Sequence, residues 1–200
     1  MSRWNGVTVT LPGGEDLRCE PATAERFADL PCVVGDRGGP GGCWCMFWRL
    51  RNAEWRATDS TQRRAALADR FRNSPPPGVL AYLDGRPVGW CAVAPRREYP
   101  RMQSSPTLGP VDDTPSWAVS CLFIHRTARR RGVGSALVGA AVAMAKAHGA
   151  PAVDAIPVAP GGTRGSGDLY TGTPSMFEPL GFTEVARRKP ERPVIRLTLR

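Results

Sequence analysis

The stretch from Trp117 to Val158 leaves this chain few ways to fold. WAVSCLFI at 117–124 is an apolar run of strand length, and VDAIPV at 153–158 is a second one. Between them, residues 132–148 place Val133, Ala136, Leu137, Ala140, Ala141 and Met144 at the i, i+3, i+4 spacing of one helical face. His148-Gly149-Ala150-Pro151 supplies the stop: a cation or polar end in the last turn, a glycine free to turn left-handed, then a proline. Strand, helix and strand in that order predict a crossover unit and a buried parallel pair.

Around this unit the remaining elements are read more coarsely. GVLAYL and PVGWCAVA, separated by Asp84-Gly85-Arg86, predict an antiparallel hairpin from residue 79 onward. A polar, proline-rich loop fills 95–115, a glycine-rich segment fills 161–168, a short helix is expected around 173–180, and strands near 182–187 and 194–199. Residues 1–78 read mainly as helix and loop on the substrate side, with helices at 21–30 and at 52–73, the latter interrupted near Ser60. Two hundred residues suit a single domain, 1–200, with 79–200 as its core. No run of about 18 apolar residues is present, and the first residues lack the apolar centre of a signal peptide, so a cytoplasmic protein is expected.

The charge is 27 basic against 18 acidic residues, and every cation is Arg apart from Lys146 and Lys189. The planar guanidinium fork chelates phosphate, so a phosphate-rich cofactor, a nucleic acid and an acidic substrate all stay open as partners. Six cysteines in a chain without a secretion signal are expected as free thiols. Cys43-Trp44-Cys45 lacks a second ligand pair at metal spacing, which favours burial around Trp44 and Trp48, and no metal is expected.

Arg129-Arg130-Arg131-Gly132-Val133-Gly134-Ser135 opens the long helix with charge of the wrong sign. A helix N-terminus is already positive, so each arginine there costs a few tenths to about 1 kcal/mol unless an anion neutralises it. The glycines let amide groups approach a ligand closely, and pyrophosphate suits such a bend. A solvated basic face beside a simple turn is the plainer alternative. The chain has no Gly-Lys dipeptide, which excludes the P-loop. A dinucleotide fingerprint would need glycine where Leu137 stands, although Asp154 falls about 20 residues on, as such a site asks.

Arg129, Gly132 and Gly134 match the pattern Arg/Gln-x-x-Gly-x-Gly/Ala, and Met176-Phe177-Glu178-Pro179-Leu180-Gly181-Phe182 matches a short helix with a Gly-Phe turn. On these two motifs residues 79–200 resemble the GNAT superfamily of acyl-CoA-dependent N-acyltransferases. The resemblance implies an α/β fold: a mixed, mostly antiparallel sheet of about six to seven strands, a splayed parallel pair, and flanking helices. It implies that Leu122, Phe123 and Ile124 offer main chain to pantetheine and that Arg129, Arg130, Arg131, Gly132, Val133, Gly134 and Ser135 wrap the pyrophosphate of acetyl-CoA or another acyl-CoA. The acceptor would be an amine, and a homodimer is an assembly that relatives often form. A silent acyl-CoA-binding module and an acyltransferase using aminoacyl-tRNA are the alternative functions.

Acyl transfer from a thioester needs a neutral amine, a donor near the oxyanion and a proton for the leaving thiolate. The family's usual acid is a tyrosine four residues before the glycine of Gly-Phe, where this chain has Phe177. Tyr170 and Ser175 are the replacement candidates. Asp112, Asp113, Glu54, Glu98 and Asp168 are the carboxylates within reach of a base role, His125 is expected to hold the phosphate turn, and Cys121 reads as a buried strand residue rather than an acyl-accepting nucleophile. Trp44, Trp48, Trp55 and Trp90 are placed in core or pocket walls.

Overall fold

The computed structural model describes residues 4–159 and 170–200, so Asp168 and the 161–168 segment lie outside the described residues. Eight strands form one sheet: β1 (Val7–Thr10), β2 (Asp16–Pro21), β3 (Gly78–Leu83), β4 (Arg86–Pro95), β5 (Trp117–Ile124), β6 (Ala152–Ala155), β7 (Thr183–Arg187) and β8 (Pro193–Thr198). Their order across the sheet is β1-β2-β3-β4-β5-β6-β8-β7, with β5 and β6 parallel and every other neighbour antiparallel. The helices are α1 (Leu30–Val34), α2 (Asn52–Ala57), α3 (Ser60–Phe71), α4 (Pro100–Gln103) and α5 (Val133–Ala147).

The hairpin at β3–β4 turns on Asp84 and Gly85, both at positive φ (48° and 74°), as a tight two-residue turn with the twist of its flanking strands requires. Alternation then sorts its side chains. Val79, Ala81 and Leu83 face α5, while Leu80 and Tyr82 face Leu30, Val33, Leu67 and Phe71 of α1 and α3. α5 buries the predicted stripe, Val133, Leu137, Ala140, Ala141 and Met144, against the first of these faces. The break near Ser60 is real, because Asp59 starts α3 with a capping box that receives the Gln62 N–H at 2.8 Å.

Three expectations change. Residues 1–78 are not only helix and loop, since β1 and β2 form an antiparallel hairpin at one sheet edge and bring the strand count to eight. The helix expected at 21–30 is a 3-10 turn, Ala24–Asp29, running into the five-residue α1. The helix expected at 173–180 is two 3-10 turns that meet at Phe177.

One irregularity in β5 shapes everything near it. Ala92 pairs with Cys121 but Val93 pairs with Val119, which leaves Ser120 as an extra residue on β5. Parity reverses at that bulge. Trp117 and Val119 face α5 before it, Leu122 faces α5 after it, and Cys121 goes to the opposite face. The parallel ladder ends at the same level: β6 pairs only with Trp117, Ala118 and Val119, and Cys121–Ile124 are paired on the β4 side alone.

The closed end of that junction is held by charge. Asp154 of β6 is fully buried and receives Arg96 at 2.9 Å, Ser116 at 2.8 Å and Arg196 at 2.7 and 3.2 Å, while Arg196 also meets Asp112 at 2.6 Å. This assignment removes the basis of the dinucleotide reading, because Asp154 faces arginines in the core. Removing one partner of a buried ion cluster leaves the others unneutralised. Asp154→Ala is expected to lower the free energy of unfolding in urea by about 3–5 kcal/mol.

Candidate active site: a cleft between β5 and α5

The one-sided part of β5 opens into a cleft of about 610 Å³. Leu122, Phe123 and Ile124 form one wall, and Arg129, Arg130, Gly132, Val133, Gly134 and Ser135 form the mouth at the start of α5. Pro40, Tyr170, Ser175 and Met176 complete it from two distant parts of the chain. Eleven of the twelve residues read from the sequence therefore share one cavity.

The start of α5 is uncapped. Gly132 occupies the N-cap position in a left-handed conformation (φ 85°), no side chain bonds the first-turn amides, and no acidic residue lies in that turn. The first helical bond closes only at Ala136, whose N–H donates to the Gly132 carbonyl at 3.1 Å. Orphan amides aimed from a positive helix end form an anion site. Arg130, at φ 58°, adds a guanidinium with no ion pair or side-chain hydrogen bond among the described residues. Arg129 is partly committed, because its Nε donates to the Ile124 carbonyl at 3.0 Å and so ties the turn to the end of β5.

Arg131 is the exception. It does not line the cleft: its guanidinium bonds Glu15, in the turn between β1 and β2, and the Thr127 carbonyl at 3.3 Å. The same hairpin turn explains Gly132 differently from the sequence reading. A Cβ there would stand 2.9 Å from Pro12 Cδ, so the missing side chain admits the protein's own hairpin as well as the left-handed backbone. Gly134 has ordinary room, with Met176 Sδ 3.4 Å from a built Cβ.

The hydroxyl candidates differ in setting. Tyr170 is half-buried at the junction of two core clusters and lines the cleft, whereas Ser175 is exposed with its Oγ 3.1 Å from Thr173 Oγ1. Phe177 is wholly buried and meets Phe182 edge-on at 5.3 Å, so the position usual for the acid is core here. The described carboxylate candidates are engaged or exposed elsewhere. Glu98 pairs with Arg49 and Arg70 at 2.6 and 2.8 Å, Glu54 accepts the Arg51 amide at 2.6 Å, Asp112 holds Arg196 and the Thr114 amide, and Asp113 is exposed outside the cleft. Those Arg49, Arg70 and Arg196 pairings show that part of the arginine content neutralises the fold's own carboxylates. His125 Nδ1 lies 2.8 Å from Thr127 Oγ1 just before the turn at the start of α5, and His148 Nδ1 donates to the Met144 carbonyl at the end of α5 at 2.8 Å.

A second cavity of about 860 Å³ adjoins the first at Pro40 and is lined by Val34–Arg37, Gly39–Gly42 and Ser60. The tryptophans lie in neither cavity. Trp44, Trp48 and Trp90 are buried, and Trp55 carries Arg63 over its ring at 3.5 Å. All six cysteines are free, and no cluster of three or more His, Cys, Asp or Glu suited to a metal occurs among the described residues. Among those residues no helix is long and apolar enough to cross a membrane.

Residues 44–171 match the family model described as Acetyltransferase (GNAT) family. No curated protein matches the sequence. Among solved structures, the chain is similar to the GNAT domain of S. lividans PAT, at 15% identity and TM-score 0.55 over 97% of each chain. It is similar to yncA from Salmonella typhimurium, solved with its cofactor acetyl-CoA, at 15% identity and TM-score 0.54 over 92% of this chain and 94% of that one. It is also similar to PaiA N-acetyltransferase of Thermoplasma acidophilum in complex with coenzyme A, at 10% identity and TM-score 0.53 over 92% and 99%. At these identities the likeness is one of fold.

The two glycines should separate in a stability measurement. Gly132→Ala meets both a left-handed backbone and Pro12 and is expected to lose about 1–2 kcal/mol or more in thermal unfolding. Gly134→Ala, inside the helix and with space for a methyl group, is expected to hold or gain up to about 1 kcal/mol.

Proposed function

The chain belongs to the acetyltransferase (GNAT) family, and on that premise we propose that it is an N-acyltransferase acting on acyl-CoA and a primary amine by direct attack in a ternary complex. One observation carries this reading: the uncapped, arginine-lined start of α5 and the one-sided end of β5 face a single cleft. The residues present fit an acyl-CoA. The free amides of Val133, Gly134 and Ser135, with Arg129 and Arg130, would hold the pyrophosphate, and the unpaired edge of Leu122–Ile124 would pair with the amide-bearing pantetheine arm as an added strand does. When bound, acyl-CoA supplies the thioester.

The protein's chemical contribution is mainly positional. Tyr170 is assigned as the proton donor to the departing sulfur, since this half-buried tyrosine lines the cleft and Phe177 offers no hydroxyl. No carboxylate or imidazole lines the cleft among the described residues, so solvent takes the amine's proton. The adjoining cavity, with the Asp36 carboxylate on its wall, receives the acceptor.

Calorimetric titration with acetyl-CoA, followed by thiol-release assays over a panel of primary amines, tests the reading. Saturable binding and amine-dependent thiol release are expected, and absence of acetyl-CoA binding would remove it. Arg130→Ala deletes one charge-assisted contact and should weaken acetyl-CoA binding by about tenfold or more. Tyr170→Phe should lower kcat by about 10²-fold or more while the acetyl-CoA Kd changes little, and Ser175→Ala should leave kcat near its original value. Full kcat in Tyr170→Phe would take the acid role from Tyr170.

A further inference from the structure

Behind the cleft wall lies a pair of thiols that acyl transfer does not use. Cys45 Sγ and Cys121 Sγ are 3.5 Å apart, although 76 residues separate them in the chain, and both residues are about 5% exposed or less. Cys121 is the β5 residue next after the bulge and immediately before Leu122 and Phe123 of the cleft wall. Cys45 sits in the turn that follows the glycine-rich segment.

That turn is held in an unusual conformation. Trp44 and Cys45 are successive non-glycine residues in the left-handed region, at φ 47° and 53°. Such a pair persists only where the surroundings over-determine it. Here the Trp44 amide donates to the Gly38 carbonyl at 2.8 Å, the Trp44 indole N–H donates to Ser60 Oγ at 3.1 Å, and the Met46 amide donates to the Cys43 carbonyl at 2.9 Å. The result aims Cys45 at Cys121. The Trp90 indole N–H donates to Cys45 Sγ at 3.1 Å, and the Cys45 S–H in turn points at Cys121 Sγ. Hydrogen bonds with Cys121 and Trp90 and the nearby Arg49 guanidinium hold the Cys45 thiol below its ordinary range despite burial. Cys121 is pushed well above it, first by its hydrogen bond to Cys45 and then by burial. The Trp90 N–H and the Arg49 guanidinium both favour negative charge on the Cys45 sulfur, which makes it the attacking thiol and Cys121 its resolving partner. Cys43, by contrast, is pushed up to about 11 by burial.

We propose that Cys45 and Cys121 are a peroxide-oxidised disulfide site whose closure reshapes the acyl-CoA cleft. The Cys45 sulfur attacks one peroxide oxygen and the O–O bond breaks. The hydroxide released takes the proton that Cys45 gave up, leaving water and a Cys45 sulfenic acid. The Cys121 sulfur then attacks the Cys45 sulfur, forming the S–S bond, and the departing hydroxide leaves as water with the Cys121 proton. Two thiols are oxidised and one peroxide is reduced to two waters. Burial selects a small, uncharged oxidant of this kind over bulky disulfides. A disulfide needs its sulfurs at about 2.05 Å, so closure draws the 43–46 turn and the end of β5 together by roughly 1.5 Å. Leu122 and Phe123 move with Cys121.

The affinity readout rests on the function proposed above, and the other readouts do not. The full-length chain, reduced and then treated with hydrogen peroxide, is measured by intact mass, disulfide peptide mapping, amide hydrogen exchange and acetyl-CoA calorimetry. The expected result is loss of two hydrogen atoms, a Cys45–Cys121 linked peptide, altered exchange across 120–124, and acetyl-CoA affinity weakened by about fivefold or more, all reversed by dithiothreitol. Cys121→Ala should instead accumulate a Cys45 sulfenic acid, read as a one-oxygen mass gain on the Cys45 peptide, and Cys32→Ser, at an exposed thiol, should behave as the parent does. Oxidation confined to Cys32, disulfides only between molecules, or a Cys45–Cys121 link that changes neither exchange nor affinity would overturn the proposal. A reduced protein that fails to bind acetyl-CoA removes the acyltransferase reading alone, because mass and exchange still judge the cysteine pair.

Discussion

The structure around the cleft depends on where β5 stops being a two-sided strand. A parallel pair buried between layers normally satisfies both edges of each strand. Here β6 satisfies one edge of β5 for three residues only, and the bulge at Ser120 bends the remainder away. The released edge carries main-chain donors and acceptors into a cavity, and the next element in the chain is a helix whose own first amides are also unpaired. Two incomplete hydrogen-bonding edges therefore meet in one place, and their incompleteness comes from strand register and helix start rather than from any single side chain.

The mouth of that cleft is built from segments far apart in the chain. Arg129 holds it to β5, the hairpin turn at 11–15 buttresses it through Pro12 and Glu15, and Met176 lies against Gly134 from the other side. A turn with three consecutive arginines is thereby differentiated: Arg129 lines the cavity while tying the backbone, Arg130 lines it without another side-chain partner among the described residues, and Arg131 is neutralised by Glu15. Identical neighbours in sequence have become three different parts.

Elements with a short-range signature were legible in the residues. The stripe of α5, the apolar run of β5 and the Asp84-Gly85 turn each encode their structure locally, and the motif at 129–135 fell on the cleft for the same reason. The β1–β2 hairpin was not read, because its outer face is polar (Thr8, Thr10, Asp16, Arg18) and its short strands pair at a sheet edge. The alternation of Leu17, Cys19 and Pro21 with charged residues was a usable signal. Arg131 and the carboxylates were beyond local reading, since Glu15 is 116 residues from Arg131 and Glu98 is 49 from Arg49. The role of a charged side chain follows from which opposite charge the fold brings to it.

The fork between β5 and β6 has a fixed crotch. Asp154 lies one residue from Ala155, where the ladder ends, and four hydrogen bonds from Arg96, Ser116 and Arg196 anchor it there. The cleft therefore opens away from this anchor, beside Ile124 and the first turn of α5, and meets the second cavity at Pro40. Under the proposed function, a ligand arrested by its anionic group at the start of α5 would reach along Leu122–Ile124 toward that second cavity by a distance set by its own length.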